Sequence, residues 1–245
     1  MRYYLNSADK LDPVEFSERS RMVCDVYLQA ADLQKKGMHL ISTDEKTGIQ
    51  ALERDAPTLP MRPGQVERQE YNYDRHGTLC LTANLDVATG KIIAPTIGPT
   101  RGEQDFAAHI EQTIATDAGG TWIFVADQLN THQSQALVQL VGNQCGIDMD
   151  LGIKGKSGIL KSRATRRLFL EDPSHRIRFI YTPRHASWLN QVEIWFSILV
   201  RRLLKRANFQ SLEQLRTQLL AFIDYFNRTL AKPFQWTYKG KVLVA

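Results

Sequence analysis

The chain has 245 residues, enough for one large domain or two small ones. With 43% hydrophobic residues it can build a core, yet no apolar run approaches the ~20 residues that span a bilayer. Met1-Arg2-Tyr3-Tyr4 also lacks the apolar stretch of a signal peptide. Cys24, Cys80 and Cys145 are odd in number and far apart, which fits neither a disulfide framework nor a zinc knuckle and points to a reducing, intracellular setting. The net charge of +5 conceals an asymmetry. Residues 154–206 carry 13 Lys and Arg against three acids (Glu171, Asp172 and Glu193), a net of +10, and the rest of the chain is at −5. A basic block of this size suits a polyanion, most simply nucleic acid; a solvated surface loop is the plainer reading.

In chain order, Asp12-Pro13-Val14-Glu15 has the cap, proline and acid of a helix start. Met22, Val26, Ala30 and Leu33 then form a helical stripe that Gly37 stops. Residues 39–43 predict a short strand ending at Asp44, and residues 46–69 a long irregular excursion. Glu70 to Tyr73 and Thr78 to Leu85 are strand-like around a hairpin turn at 74–77, and Lys91 to Ile97 follows another turn. Together with the Asp44 strand they suggest an antiparallel meander. Thr100 to Glu103 has a capping-box pattern before a helix with Phe106, Ile110 and Ile114 on one face. Trp122 to Ala126 is an unbroken apolar run, the mark of a buried central strand, with Asp127 at its end. Asn130-Thr131 is placed to cap a helix carrying Leu137, Leu140 and Val141.

Residues 146–175 predict a Gly-rich basic loop and a short basic helix, without the spacing of a P-loop. Ile177 to Tyr181 is a strand candidate ended by Pro183, and helices follow over 187–206 and from Ser211 onward. Strands first, then helices and strands in alternation, give an α/β fold with a mixed sheet flanked by helices. The expected divisions are a helical linker over 1–38, a catalytic domain over 39–230 with a basic insertion at 146–175, and a tail over 231–245.

Glu193 stands out because Leu189, Phe196, Val200 and Leu203 recur at helical spacing around it. A carboxylate on a core-facing stripe costs several kcal/mol unless paired, so the sequence calls for a metal ion or a buried arginine. Asp44 and Asp127 each follow an apolar run and are either turn or cap residues or partners of Glu193 in a metal site. Three carboxylates suit Mg²⁺ or Mn²⁺ better than zinc.

Three segments carry a resemblance: Ser42-Thr43-Asp44-Glu45-Lys46, residues 125–132 (Val125 to His132), and residues 181–193 (Tyr181 to Glu193). They resemble the three acidic motifs of bacterial insertion-sequence transposases of the mariner superfamily, and residues 232–238 also look like that branch. The resemblance implies a ribonuclease H-like fold, with Asp44, Asp127 and Glu193 as catalytic ligands of two Mg²⁺ or Mn²⁺ ions. It implies a DNA strand-transferase that acts on double-stranded DNA as a homodimer in a bacterial cytoplasm, associated with the nucleoid. Asn130, His132 and Asn190 take supporting roles, His132 equally as a cap or packing residue. Lys154, Lys156, Lys161, Arg163, Arg166, Arg167, Arg184 and His185 are candidates for DNA contact, and Trp188 packs in the core or stacks near DNA. Two departures stand out: 65 residues separate Asp127 from Glu193, more than in many members, and Gln128 stands where the family often has Asn. About 40 residues precede Asp44, short of the family's helix-turn-helix modules, as in a catalytic fragment, a split reading frame or a decayed copy. A related structure-selective nuclease and a catalytically silent DNA-binding regulator are the competing readings.

Overall fold

The computed structural model describes residues 13–205 and 207–238. Its elements are α1 (Pro13–Leu28), α2 (Ala30–Lys35), β1 (Met38–Arg54), β2 (Tyr73–Asp86), β3 (Ile92–Gly98), α3 (Glu103–Ile114), β4 (Thr121–Ala126), α4 (Gln135–Gln144), α5 (Arg163–Leu170), β5 (Ile177–Tyr181), α6 (Val192–Leu199) and α7 (Leu212–Thr229). One sheet takes them in the order β3-β2-β1-β4-β5. Its first three strands are an antiparallel meander, and β4 and β5 join in parallel. The mixed sheet expected from the element order is present.

Two local expectations fail, for one reason. The Asp44 strand does not end at Asp44 but continues to Arg54, and Tyr73 to Asp86 is a single strand without a turn at 74–77. Pairing runs the whole way, from Ile41 opposite Asp86 to Arg54 opposite Tyr73. Turn-like residues are carried in the ladder because each strand supplies the other's backbone partners. The register shifts between Lys46 and Ile49, where Gly48 takes φ +64° and absorbs an irregularity in the ladder.

Alternation along β1 and β4 divides the core. Ile41, Phe124 and Ala126 face α3, α4 and α5, packing with Phe106, Ile110, Leu137 and Phe169. Leu40, Ile123 and Val125 face the other way, against Val23, Tyr27 and Leu189. Farther along that side, α6 and α7 cover β2 with Trp195, Phe196, Leu219 and Phe226. Of the expected stripe, Val26 in α1 and Ala30 in α2 are buried and Leu33 partly so, but Met22 faces solvent and Val23 and Tyr27 take its place in the core. Asp12, its expected cap, lies outside the described residues.

Caps also moved. Asp105, not Glu103, accepts from the Gly102 N–H and the Thr100 hydroxyl at the start of α3. Ser134, not Asn130 or Thr131, caps α4 by accepting from the Leu137 N–H. The 146–175 segment is not a loose loop. Leu160, Phe169 and Leu170 are buried in the core beneath α4, and α5 is the short basic helix expected there.

The β2–β3 turn shows how closely the C-terminal segment is laid down. Gly90 has φ +73°, and a Cβ there would stand 2.0 Å from the Lys232 carbonyl oxygen. Beyond that contact, Trp236 and Tyr238 pack beside the Val23 and Tyr27 core. Gly48 has a similar φ with nothing within 4 Å, so alanine there meets only the left-handed backbone cost of about 1–2 kcal/mol. Gly90→Ala is expected to be more destabilising than Gly48→Ala by at least about 1 kcal/mol in urea unfolding, because the 231–238 segment must also shift. Equal midpoints for the two variants would show that the segment is not pressed on the turn.

Candidate functional site

The parallel pairing of β1 and β4 builds the centre of the site. Ser42 lies opposite Val125, so the same register carried two residues further brings Asp127 level with Asp44. Both side chains then share a sheet face, because side chains two apart point the same way. Asp44 is 7% exposed, within the strand, while Asp127 follows the last residue of β4. A third acid, Glu193, comes from the first turn of α6.

Their protonation behaviour reports the crowding. Burial, and then the charge of Asp127, push the Asp44 carboxyl up to about 7. Glu193 is also raised, by burial first and by Asp127, with Lys46 opposing. Asp127 itself is lowered: burial alone would raise it, but the hydrogen bond and charge of His132 and the Leu129 N–H outweigh that. All three carboxylates are therefore coupled through Asp127.

Glu193 does not stand on the core-facing stripe that the sequence suggested. The buried face of α6 is Val192, Trp195, Phe196 and Leu199, and Glu193 is half-buried at its edge. The helix is not continuous from 187 to 206: a 3₁₀ turn covers Ser187–Leu189, α6 begins at Val192, and a π-helical turn covers Val200–Leu204. Of the expected stripe, Leu189 and Phe196 are buried and Val200 and Leu203 partly so, while Glu193 lies at the margin of that face. Among the described residues no arginine pairs with Glu193.

Asn190, in the break before α6, binds the site together. Its Nδ2 donates to the Thr43 carbonyl at 2.9 Å and to Asp44 Oδ2 at 3.2 Å, and its Oδ1 accepts from the Ser42 hydroxyl. Ser42 Oγ in turn accepts from the Val192 N–H, so one buried serine on β1 fixes both the amide and the start of α6. The Tyr27 hydroxyl donates to the Leu189 carbonyl and accepts from the Gln191 N–H, bracing the same loop from α1.

His132 lies beside these acids, fully buried in the 3₁₀ turn after β4. It lies 2.7 Å from Asp127 Oδ1 through Nδ1 and 3.0 Å from Glu45 Oε2 through Nε2. Burial works against its charge, but the two acids prevail and hold its pKa up at about 10. The ring is an imidazolium that donates from both nitrogens. His109, equally buried, goes the other way: burial without an acid pushes it down to about 3, and its Nδ1 meets only Thr96. His132 therefore pairs with Asp127 and Glu45 rather than capping a helix. Glu45 was missed in the sequence because its partner is 87 positions away.

Asp44, Glu45 and His132 also place one donor atom each within 4.8 Å of one another. A doubly hydrogen-bonded imidazolium offers no lone pair to a cation, so the donor set that fits a divalent ion is the carboxylate set. Among the described residues Asp44 is a buried acid in no ion pair, with only the nearby charge of His132 favouring its ionised form, Asp127 Oδ2 has no hydrogen bond, and all donors are hard oxygens suited to Mg²⁺ or Mn²⁺.

The basic candidates divide. Asn130 lies away from the carboxylates and accepts from Arg163 Nη1 at 2.9 Å. An open cleft of 570 Å³ beside Asp127 is lined by Arg163, Arg184 and His185. Lys156 and Lys161 are exposed, and Lys154 stands 3.3 Å from Glu103. Arg166 and Arg167 are engaged inside the fold: Arg166 donates to the Gln133 and Leu160 carbonyls, and Arg167 is 3.7 Å from Glu15 and Glu171. Gln128 donates to the Thr182 carbonyl, bridging β4 and β5 beyond their ends. Trp188 is 43% exposed against Tyr238 and is not a core residue. Cys24 and Cys80 are buried, and none of the three cysteines is in a disulfide. No helix among the described residues is long and apolar enough to cross a membrane.

Two stability outcomes follow from this geometry. Asn190→Ala is expected to cost about 1–3 kcal/mol in chemical unfolding, since it removes the buried donor to the Thr43 carbonyl and Asp44 and the acceptor of the Ser42 hydroxyl proton; a cost below about 0.5 kcal/mol would remove Asn190 from the framework of the site. For His132, whose folded pKa is raised, the contribution is fully present below the ordinary histidine pKa and lost as pH rises through about 10. The stability gap between the parent chain and His132→Gln should shrink between pH 7 and pH 10.5. A gap that stays constant over that range would mean that the imidazolium is not what holds the two acids.

Comparison with known proteins places this geometry. The family model described as DDE superfamily endonuclease matches residues 39–216. A search of curated protein sequences finds no match. Among solved structures, the Mos1 transposase paired-end complex with left transposon end has a TM-score of 0.55 and 13% identity, with 91% of this chain and 58% of that one covered. The Mos1 mariner paired end complex with Mn gives 0.52 and 12% over 91% and 59%. The catalytic domain of Mos1 mariner transposase gives 0.51 and 11% over 91% and 85%. The chain thus spans 58% of the length of the first of these transposase chains. At such identities the likeness is one of fold: a mixed five-stranded sheet flanked by helices, ribonuclease H-like.

Proposed function

Since the chain belongs to the family of DDE superfamily endonucleases, we propose that it is the catalytic domain of a DNA transposase, cutting phosphodiesters at element ends and joining the freed 3′-hydroxyl to a target. The observation that carries this reading is the level placement of Asp44 and Asp127 on adjacent strands, with Glu193 coupled to them. Three hard-oxygen donors, each fixed from a different element, are what phosphoryl transfer asks of a protein, because that reaction needs positioning and charge stabilisation more than acid–base groups.

Asp44, Asp127 and Glu193 would hold two Mg²⁺ or Mn²⁺ ions. Bound there, the ions supply charge stabilisation to the attacking and leaving oxygens and make water or a 3′-hydroxyl a better nucleophile. The chain's own residues prepare the ligands. Asn190 orients Asp44 through Oδ2, and the Glu45 N–H holds Oδ1. His132 and the Leu129 N–H hold Asp127 through Oδ1, which leaves Oδ2 available. The cleft lined by Arg163, Arg184 and His185 opens directly beside Asp127, where the phosphates of the cut strand would lie. Double-stranded DNA is the substrate in this reading, and two copies of the chain would act together on paired ends.

The test is plasmid nicking and strand joining with Mn²⁺ or Mg²⁺. Asp44→Asn, Asp127→Asn and Glu193→Gln should each lower both reactions by about 10²–10³-fold or more, and EDTA should abolish them. Cut ends without joined products would indicate a nuclease that shares the site; wild-type rates in any variant would take that residue out of it.

Metal binding should also depend on pH in a defined direction. Asp44 has a folded pKa of about 7, so its contribution to metal-free stability is present below the ordinary aspartate pKa and is lost as pH rises through about 7. A divalent ion binds only the carboxylate form. Mn²⁺ is therefore expected to raise the melting temperature more at pH 8 than at pH 6, and Asp44→Asn should erase the difference. Equal shifts at both pH values in the parent chain would place the ion elsewhere.

A further inference from the structure

Cations also stand on the other side of the carboxylates. Past Glu193, the π-helical turn over Val200–Leu204 places Arg201 and Arg202 next to each other in sequence at the end of α6. Arg201 lines two depressions. One, of 260 Å³, also contains Lys46 and Glu193. The second, of 500 Å³, is rimmed by Arg201, Arg202 and Lys232 over a floor that includes Ile198, Phe226 and Phe234. All three rim cations are exposed, and among the described residues none makes a hydrogen bond or ion pair. This differs from Arg166 and Arg167, which the fold employs, and from Lys154, which pairs with Glu103.

We propose that this groove receives the phosphate backbone of a second DNA duplex, distinct from the one whose strand lies in the Asp127 cleft. The proposal rests on the strand-transfer reading above. Joining needs two DNA partners at one set of carboxylates, and the structure offers a cationic depression on each side of that set, one reaching Asp127 and one reaching Glu193. Neutral residues form the floor, so an extended backbone can lie across it without meeting an acid until it reaches Glu193. The three cations have another possible task. The floor includes the end of α7, where Thr229 and Leu230 present the helix C-terminus, and cations there would offset its carbonyl dipoles.

The experiment compares the parent chain with Arg201→Ala/Arg202→Ala and with Arg201→Lys/Arg202→Lys. The first readout is binding of a fluorescein-labelled 40-base-pair duplex over a range of salt, with no metal added. Two lost phosphate contacts should reduce the slope of log K against log salt by about 1.8, and the lysine pair should restore it. The second readout is Mn²⁺-dependent chemistry on a supercoiled plasmid: nicking alone, and joining of a labelled oligonucleotide that carries a 3′-hydroxyl. Joining is expected to fall about tenfold or more in the alanine pair, with nicking within about twofold of the parent. An unchanged slope with a lowered melting temperature would assign these arginines to the end of α7 and overturn the proposal. Parallel loss of nicking and joining would mean that the groove holds the duplex being cut, and would also overturn it. If the parent chain neither nicks nor joins while its slope still drops in the alanine pair, the transposase reading fails, and the second-duplex assignment with it, leaving a DNA-contacting groove.

Discussion

Two carboxylates brought level on adjacent strands repel one another, and much of this structure answers that repulsion. Neighbouring strands lie about 5 Å apart, and like charges at that separation cost roughly 3 kcal/mol even at an effective dielectric of about 20. A fold selected for stability alone would place a hydrophobic pair there. Here the two acids are treated differently. Burial first, and then the charge of Asp127, hold Asp44 up to about 7, while Asp127 is kept ionised by an imidazolium on one oxygen. Asn190 and backbone N–H groups occupy the lone pairs that face the protein. What is left unmatched faces the open side, where a cation would complete the balance.

The two buried histidines show how strictly the surroundings assign charge. His109 and His132 both have no exposure, and both lie against Phe106. His109 meets Thr96 and stays neutral; His132 meets Asp127 and Glu45 and stays charged. Burial works against the cation in both cases, so the carboxylates alone make the difference. Glu45 is the second acid on the ring: without it, His132 would have one acid rather than two to hold its proton. Its carboxylate also lies within 4.8 Å of the Asp44 carboxylate, so neighbouring residues of one strand converge on the same histidine.

Elements whose signal is local were legible in the sequence. The apolar run Trp122 to Ala126 is a central strand with an acid at its end, and the α7 stripe of Leu215, Leu219 and Phe226 faces the core. Signals that depend on a distant partner were not. Residues 74–77 have the composition of a turn, yet Asp74 and Arg75 pair with Glu53 and Leu52 across a long hairpin. Glu193 looked core-facing because an unbroken helix was assumed, but the helix breaks at Asn190 and Glu193 lies at the margin of the buried face. That break is itself functional, since it brings the Asn190 amide onto Asp44. Trp188 faces solvent for the same reason: it belongs to the interrupted stretch, where helical periodicity does not apply.

A chain with this many arginines could neutralise its acids internally, and the architecture prevents it. Arg166 is tied to the Gln133 and Leu160 carbonyls, Arg176 to those of Gln144 and Gly120, and Arg167 and Arg19 to the Glu15–Glu171 cluster. Those contacts tie the guanidinium groups to neighbouring helices and loops rather than to the carboxylates of the site. Arg163 comes nearest the cleft and is held by Asn130. Among the described residues no arginine pairs with Glu193, and Lys46 is a point charge that opposes the rise in its pKa without reversing it. Acids gathered at the strand ends, and cations restrained on either side of them, are the charge pattern that a polyanionic substrate and divalent ions can complete together. The separation costs stability in the isolated chain, and the sites where that cost is concentrated are the ones where ligands would bind.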